Sequence, residues 1–184
     1  MPLRIKNLDF RFENSPVKIV ADRNYPLIEL AGLSVGPFEE GNEYEVYYWV
    51  AQELAEHGMA HFREGESLDA TKLYKVQWKE RVQIAGQISE LPEDFYPKLR
   101  RFLASMKKET SRQPESVQEY EKARHLALDI LNSRLKKIVA LSAVSTQTDP
   151  ILKKFTSEER LIYEQLGKII TEWRTRTLEY EEKG

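Results

Sequence analysis

Residues 24–66 restrict the possible folds most, because they join a part of the chain with strand-like patterning to a part with helical patterning. Two short apolar stretches stand on either side of Gly32 near the start of this segment. Asn42, with Glu45 three residues later, has the spacing of a capping box and predicts the start of a helix. Gly58 is placed to end that helix as its C′ residue. The segment therefore predicts a small β unit with one helix, connected to a helical remainder.

Alternation of apolar and polar residues predicts short strands near the N-terminus. The alternating stretches are residues 8–13, 17–21 and 25–30. A further short strand is predicted at residues 61–63. A sheet this small is only marginally stable alone, so we expect it to pack against its own helix or against another chain.

From Ser67 onwards, apolar residues recur every three or four positions, which is typical of helices with one buried face. The predicted helices are residues 67–87, 92–106, 115–144 and 156–173. Thr156 and Glu159 form a second capping box at the start of the last helix. The predicted fold class is α+β, mainly α: a small N-terminal antiparallel β-rich domain followed by a helical-bundle domain. We place the first domain at residues 1–64 and the second at residues 65–184.

The longest predicted helix is apolar on more than one side. Besides its main stripe it carries further apolar residues, so we expect a second covered face, with a partner subunit as the second layer. These off-stripe residues are Leu126, Leu128, Ile130, Leu135 and Val139. Arg134 falls within the main stripe, where an unpaired charge is costly to bury, so we predict a carboxylate partner in this chain or in another. The predicted subunit-interface residues are Tyr120, Ala127, Leu131, Arg134, Ile138, Ile162, Leu166, Ile169 and Trp173.

Charge is unevenly divided along the chain. Residues 1–66 hold 6 Lys/Arg against 12 Asp/Glu, a net of −6, and residues 67–184 hold 22 against 18, a net of +4. Tight binding of nucleic acid needs accumulated Lys and Arg, so the acidic front disfavours it. The absence of cysteine excludes disulfides and thiolate-bound metals. No signal-peptide core and no apolar span of about 20 residues is present, so we expect a soluble intracellular protein.

Residues with potential catalytic or metal-binding chemistry are few. His57 and His61 lie four residues apart, a spacing that can hold a metal ion on one helix. Gly58 interrupts that helix, however, and the pattern places no acidic third ligand nearby. Residues 36–41 lack the Gly-Lys-Ser/Thr end of a phosphate-binding loop, and no G-x-S-x-G elbow occurs. We therefore predict no catalytic residue, no metal site, no cofactor and no enzyme activity.

Acidic and basic pairs have a plainer explanation than chemistry. The glutamate pairs 39–40 and 158–159 lie at a turn or a first helical turn, where neighbouring acids are usually solvated caps. Lysine doublets without interleaved aromatics favour solvated helix faces and ends over phosphate clamps. The doublets are Lys107-Lys108, Lys136-Lys137 and Lys153-Lys154. Trp49 and Trp173 are predicted to be core residues, although aromatics at a helix seam also serve in binding.

Four pieces of the chain occur in an order that is known from one family. Residues 28–54 combine a strand pair, a Gly-Pro-Phe turn and a helix, and are followed by LPEDFY at 91–96. RLKKIVA at 134–140 and FTSEE at 155–159 complete the set. Together, over about residues 24–175, they resemble GINS subunits of the type in which a small β-rich domain precedes the helical one. The residues that carry the domain-fold motif are Gly36, Pro37, Phe38, Gly41, Trp49, Leu54, Phe95 and Tyr96.

The resemblance implies a non-catalytic scaffold protein of DNA replication. The type is similar to the archaeal subunit that stands for the second and third eukaryotic Psf subunits, with a B-type domain at 1–64 and an A-type domain at 65–184. Such a subunit would form a 2:2 heterotetramer with a GINS subunit of opposite domain order. It would tie the MCM replicative helicase to a RecJ-like or Cdc-type protein and activate the helicase. It would contact DNA only indirectly, and act at the chromosome in the cytoplasm, or in the nucleus of a eukaryote.

A second hypothesis belongs to a different functional class. The chain could be a nucleic-acid-binding regulatory helical protein that uses its mildly basic second part. A steep salt dependence of DNA binding would favour this alternative, because each neutralised phosphate releases counterions.

Overall fold

The computed structural model describes residues 2–30, 32–82, 87–144 and 149–178. The chain divides into two compact units, Pro2–Leu68 and Asp69–Gly184. The N-terminal unit contains, in chain order, α1 (Pro2–Glu13), β1 (Pro16–Ala21), β2 (Ile28–Leu30), β3 (Leu33–Val35), β4 (Glu43–Tyr47), α2 (Tyr48–Glu56) and β5 (Ala60–Phe62).

The sheet of the N-terminal unit is antiparallel, with the strand order β4-β1-β5, and β2 and β3 form a separate hairpin. In β1, Val17, Ile19 and Ala21 are buried and alternate with more exposed residues, so the strand predicted at residues 17–21 is confirmed. The strand predicted at residues 61–63 is confirmed as β5. The stretch predicted at 25–30 is a strand only over its last three residues, which form β2.

The strand predicted at residues 8–13 is wrong, because this stretch is the end of helix α1. Leu8 and Phe12 lie four residues apart, so a helix places them on one face, whereas Phe10 is 66% exposed on another. Phe12 is buried and packs against Tyr48 of α2, with their ring centroids 4.5 Å apart. The packing of Phe12 therefore follows the helical period and overrides the local alternation.

The helix predicted to start at Asn42 begins later. Residues 43–47 form β4, in which Val46 pairs with Val17 and Tyr44 with Ile19 of β1. Helix α2 starts at Tyr48, directly after that strand. The alternation of Tyr44 and Val46 with glutamates was the signal of a half-buried strand, and it outweighed the capping-box spacing.

The predicted end of this helix is confirmed. Helix α2 ends at Glu56, and Gly58 has φ of +65°, a left-handed conformation that glycine adopts without the steric cost of a side chain. The N–H of Met59 donates to the carbonyl of Leu54 at 2.9 Å, which satisfies one of the carbonyls at the helix end.

The second unit is a helical bundle, which confirms the predicted mainly α fold class. Its helices are α3 (Ala70–Val82), α4 (Phe95–Thr110), α5 (Val117–Ser142), α6 (Asp149–Leu152) and α7 (Ser157–Leu178), with a 3-10 turn at Pro114–Ser116. The long helix α5 packs against α3, α4 and α7. Among the residues described, none of the helices is long and apolar enough to cross a membrane.

Two helix starts in this unit differ from the prediction. Helix α3 begins at Ala70 and not at Ser67, and the N–H of Lys72 donates to Asp69 Oδ1 at 2.7 Å, so Asp69 supplies the cap. Helix α4 begins at Phe95, three residues after the predicted start. The predicted end of α3 falls partly on residues 83–86, which lie outside the described residues.

Candidate partner-binding surface

The interior of the helical unit is organised around Arg134 of α5, whose residue is 0% exposed. Its guanidinium donates to Glu80 Oε1 of α3 at 2.7 Å and to Glu159 Oε2 of α7 at 2.6 Å. A further bond joins its Nε to Glu159 Oε1, and its Nη1 donates to the carbonyl of Ser89 at 2.8 Å. The predicted carboxylate partner is therefore confirmed, and this chain supplies two.

Further side chains complete what we call the arginine network. Lys137 Nζ donates to Glu80 Oε2 at 2.6 Å and to the Glu80 carbonyl at 3.1 Å. The Ser89 hydroxyl bonds Glu80, and the Tyr96 hydroxyl donates to Glu159 Oε1 at 2.6 Å. Two buried carboxylates thus face two cations, and the network joins α3, α4, α5 and α7. Because buried ion pairs demand good geometry, the network constrains how these helices pack.

The charges in the arginine network shift one another's pKa. Burial raises the pKa of Glu80, but the hydrogen bond from Lys137 and the charge of Arg134 outweigh it and hold that pKa below its ordinary value of 4.5. Burial, reinforced by the Glu159 carboxylate, raises the pKa of the Tyr96 hydroxyl. Burial lowers the pKa of Arg134, and the bonds and charge of Glu159 more than compensate and raise it. Glu80 is thereby held as the carboxylate partner of two cations, Arg134 and Lys137.

The start of α7 corrects one prediction and confirms another. The N–H of Thr156 donates to Glu159 Oε2 at 3.2 Å, and the N–H of Glu159 donates to Thr156 Oγ1 at 3.4 Å, so the predicted capping box is present. The prediction that the 158–159 glutamates are solvated is wrong, because they are 7% and 1% exposed. Glu159 binds Arg134, and Glu158 accepts from Arg100 at 3.3 Å.

The lysine doublet 136–137 was also expected to be solvated, which is wrong for Lys137. Its side chain is 11% exposed, because it reaches the buried Glu80 carboxylate. The neighbouring Lys136 is exposed, as are Lys107 and Lys153. Two consecutive positions of α5 thus place Lys137 against the interior and Lys136 at the surface.

Beside the buried stripe that carries Arg134, the surface of α5 has a second apolar stripe. It consists of four side chains that are 40–45% exposed: Leu128, Leu131, Leu135 and Val139. They are spaced by three, four and four residues, which places them on one face of the helix. We call this set the α5 stripe. Its presence agrees with the expectation that α5 is apolar on more than one side.

A groove adjoins the α5 stripe. It has a volume of about 280 Å³ and is open to solvent, with Leu128 and Leu131 on its α5 side. Tyr96, Leu99 and Leu103 contribute from α4, and arginines lie at positions 100 and 124. The lining is mainly apolar, as in sites that accept an apolar side chain from a partner. The groove and the stripe together form a continuous surface that we call the candidate partner surface.

The predicted interface residues fall into three groups by burial. Ala127, Arg134 and Ile138 are buried in the chain's own helical unit, at 0–2% exposure. Tyr120, Ile162 and Leu166 are half-buried. Leu131, Ile169 and Trp173 are 40%, 62% and 65% exposed, so they are the three with large surfaces left for a partner. Their role in subunit contacts remains a prediction, whereas the prediction that Trp173 is a core residue is wrong.

The motif residues of the N-terminal unit build its core and turns. Phe38 and Leu54 are buried at 3% and 5%, and Trp49 is half-buried against the same core. Gly36 and Gly41 have φ of +94° and +80°, and Pro37 follows Gly36 in a cis peptide bond. Phe95 and Tyr96 are likewise buried at the start of α4.

In the part of the chain that the structure describes, no three or more histidine and acidic side chains are grouped so that they could hold a metal ion. His57 Nδ1 lies 2.8 Å from the Glu53 carbonyl, and His61 Nδ1 lies 2.6 Å from Asp22 Oδ1. The two histidines are on different elements, the end of α2 and strand β5, so the helical spacing of metal ligands does not apply to them.

Sequence patterning missed the acidic members of the arginine network. Glu80 stands on the inward stripe of α3 with Leu73 and Val76, and an acid on one buried stripe was the available signal for pairing with Arg134 on another. The exposed aromatics of α3, Tyr74 and Trp78, were missed as well. They lie one turn apart, opposite that stripe.

One family model matches the chain. It is that of the GINS complex protein helical bundle domain (Sld5), and it covers residues 53–178. The matched range is more than half of the 184 residues and contains α3, α4, α5 and α7. No curated protein sequence matches the chain.

Proposed function

The chain belongs to the GINS family, and we propose that it acts as a scaffold subunit whose candidate partner surface docks on a second GINS subunit. The family is a non-catalytic family of DNA replication scaffolds, and its members work in complexes with other GINS subunits at the chromosome. The observation that carries the proposal is the α5 stripe, which repeats at helical spacing and leaves four large apolar residues 40–45% exposed.

The free energy of apolar burial, compared with the cost of association, indicates how large the interface must be. Fully burying a Leu or Val side chain contributes about 1.5–3 kcal/mol, and the members of the α5 stripe are already more than half buried. Covering the rest of all four would therefore contribute roughly 2.5–5 kcal/mol. Association itself costs about 4–15 kcal/mol, so the stripe alone would not hold a stable complex. The proposed interface therefore includes the adjoining groove and the exposed apolar residues of α7.

The finer organisation is also part of the proposal. The partner is a GINS subunit of opposite domain order, and two copies of each form a 2:2 heterotetramer. This assembly links the MCM replicative helicase to a RecJ-like or Cdc-type protein and activates it. The order of a small β unit before the helical bundle supports placing the chain with the archaeal counterpart of the second and third Psf subunits. In this role the helices position the partner proteins, and the partners carry out the catalytic reactions.

Light-scattering mass measurement tests the proposal. The purified 21.6 kDa chain is measured alone and after mixing with a candidate GINS subunit of opposite domain order. A complex that contains two copies of each chain is expected. A chain that stays monomeric in the mixture would overturn the proposed assembly. Retention of MCM or of a RecJ-like protein on the immobilised complex, compared with the bare matrix, then tests the wider linkage.

Variants locate the contact. Leu131→Glu combined with Leu135→Glu places two charges on the α5 stripe and is expected to prevent the complex, since each charge would have to be buried unpaired. Leu27→Glu is the matched control, because Leu27 is 50% exposed in the N-terminal unit and lies outside the candidate partner surface. Unchanged circular dichroism of both variants separates loss of assembly from loss of folding. If both assemble like the unaltered chain, the interface lies elsewhere.

A further inference from the structure

Helix α3 carries an exposed apolar line that the arginine network and the candidate partner surface do not use. Tyr74, Trp78 and Val82 are 57%, 59% and 61% exposed and are spaced by four residues. Successive members lie about 6 Å apart along the axis, at about 1.5 Å per residue. The buried face of α3, with Leu73 and Glu80, points the other way. Three large exposed apolar residues in one line, with a tryptophan at the centre, form a candidate binding surface.

Basic residues flank this line on both sides. At about 100° per residue, Lys75 and Lys79 fall on one side of Trp78, and Arg81 falls on the other. All three are exposed, and none forms an ion pair with any residue that the structure describes. The single acid within α3, Glu80, is buried in the arginine network. The outer surface of α3 is therefore positive and aromatic.

We propose that this outer face of α3 binds single-stranded nucleic acid, with bases stacked on Tyr74 and Trp78. The phosphates pair with Lys75, Lys79 and Arg81. Proteins that hold single strands without sequence preference combine these two elements, a positive track for the backbone and aromatic rings for the bases. The inference is independent of the proposed subunit interface, because it rests on a different helix.

The shape of this surface favours a single strand over other acidic partners. An acidic partner helix would need an apolar groove to lie in, and an extended peptide would need a free strand edge. The outer face of α3 is the convex side of one helix, and the groove described above lies between α4 and α5 instead. Duplex DNA keeps its bases stacked inside, so exposed rings gain nothing from it, whereas unpaired bases can stack on them.

The proposed contact is weak and sensitive to salt, which is compatible with an overall net charge of −2. Three cations can neutralise only about three phosphates, each adding about 0.7 to the slope of log affinity against log salt concentration for a single strand. The lysine doublets considered from the sequence have no exposed aromatic neighbour, because Phe155, which follows Lys154, is buried. Lys75 and Lys79, in contrast, each directly follow an exposed aromatic residue. This interleaving is the pattern expected of a single-strand contact.

Fluorescence anisotropy with a labelled oligo(dT) of about 20 nucleotides tests the proposal, since single-strand sites span roughly 4–16 nucleotides. The full chain is titrated at several salt concentrations. Trp78→Ala is expected to weaken binding roughly 5- to 100-fold, the range given by losing one stacked base. Phe10→Ala is the matched control, because Phe10 is 66% exposed on α1 in the acidic unit and should leave binding unchanged.

A second pair of variants tests the contribution of the lysine charges to binding. Lys75→Gln with Lys79→Gln is expected to lower the salt slope by about 1.4, two phosphates at about 0.7 each. Lys153→Gln with Lys154→Gln removes the same number of charges from an exposed doublet elsewhere and should leave the salt slope of binding unchanged. Equal losses in both double variants would indicate only general attraction and overturn the proposal.

Other outcomes also decide the question. No binding of oligo(dT) at low salt, or unchanged binding by Trp78→Ala, overturns the proposal. So does equal affinity for a duplex of the same length, or preferential binding of a poly-glutamate peptide through the same residues. Light scattering of Trp78→Ala with the GINS partner separates the two proposals, because this variant should still assemble. All variants are substitutions at exposed positions, and circular dichroism verifies that they fold.

Discussion

Replacing Arg134 by methionine is expected to destabilise the helical unit by about 3–5 kcal/mol, the cost of leaving a buried charge without its partner. The Arg134 side chain is 1% exposed, and so are those of its partners Glu80 and Glu159. Lys137 bonds Glu80 at 2.6 Å, and we expect this bond to remain after the change. The greater part of the cost therefore falls on Glu159, which keeps the Tyr96 hydroxyl at 2.6 Å but loses the guanidinium.

A double-mutant cycle separates this cause from a general loss of packing. Glu159→Gln alone leaves the guanidinium short of one carboxylate and is expected to be strongly destabilising. In the Arg134→Met background, Glu159→Gln removes an uncompensated charge. Its cost in free energy of unfolding should therefore be about 1–3 kcal/mol smaller than in the unaltered chain. The sign of this coupling is the specific signature of the ion pair.

Urea unfolding followed by far-ultraviolet circular dichroism measures the free energies, with the m-value checked for each variant. Arg176→Met is the matched control: Arg176 bonds Glu172 at 2.6 Å, but its side chain is 78% exposed, so the change should stay within about 0.5 kcal/mol. A cost below about 1 kcal/mol for Arg134→Met at unchanged m-value, or an additive cycle, would refute the reasoning.

Three further predictions concern single sites. The pKa of Glu80 lies below 4.5 in the folded chain, so its ionised carboxylate contributes to stability above that pH, and this contribution is lost as the pH falls through the folded pKa. Glu80→Gln should therefore flatten the decline of the free energy of unfolding below about pH 4.5, which urea unfolding at a series of pH values measures. Tyr96→Phe removes the bond to Glu159 and should cost about 1.5–3 kcal/mol in urea unfolding, with a cost near zero arguing against a role for the hydroxyl. Gly36→Ala should cost about 1–3 kcal/mol in thermal unfolding, because φ is +94° and an added Cβ would lie 3.2 Å from the Phe38 ring; an unchanged melting temperature would contradict this.

The general architecture was predictable because its signals are local and repeated. Strand β1 alternates cleanly, and α4 carries its apolar residues at helical spacing, so the fold class followed from the sequence. Where two periods fitted the same residues, tertiary packing decided the outcome. In α1, Leu8 and Phe12 satisfy both an alternation of two and a helical spacing of four, and the contact of Phe12 with Tyr48 selected the helix.

The candidate partner surface was only partly predictable, for a related reason. Helix α5 has two apolar stripes, and periodicity does not say which faces the chain's own core. Ile130 is buried, whereas its neighbour Leu131, placed on the main stripe from the sequence, is 40% exposed. The pairing of Arg134 with Glu80 and Glu159 spans 54 and 25 residues, so no local pattern could fix it. The charge argument predicted that a carboxylate was needed, but not which one.

That the chain works as an assembled subunit through the α5 stripe is tested most directly by its mass in solution with a GINS subunit of opposite domain order. Light scattering should report a complex with two copies of each chain for the unaltered protein. It should report separate chains for the folded Leu131→Glu/Leu135→Glu variant, which carries charges where the structure leaves apolar side chains 40% and 45% exposed. A complex of the same mass for both proteins would contradict the assignment of the interface, and no complex for either would contradict the assembly itself.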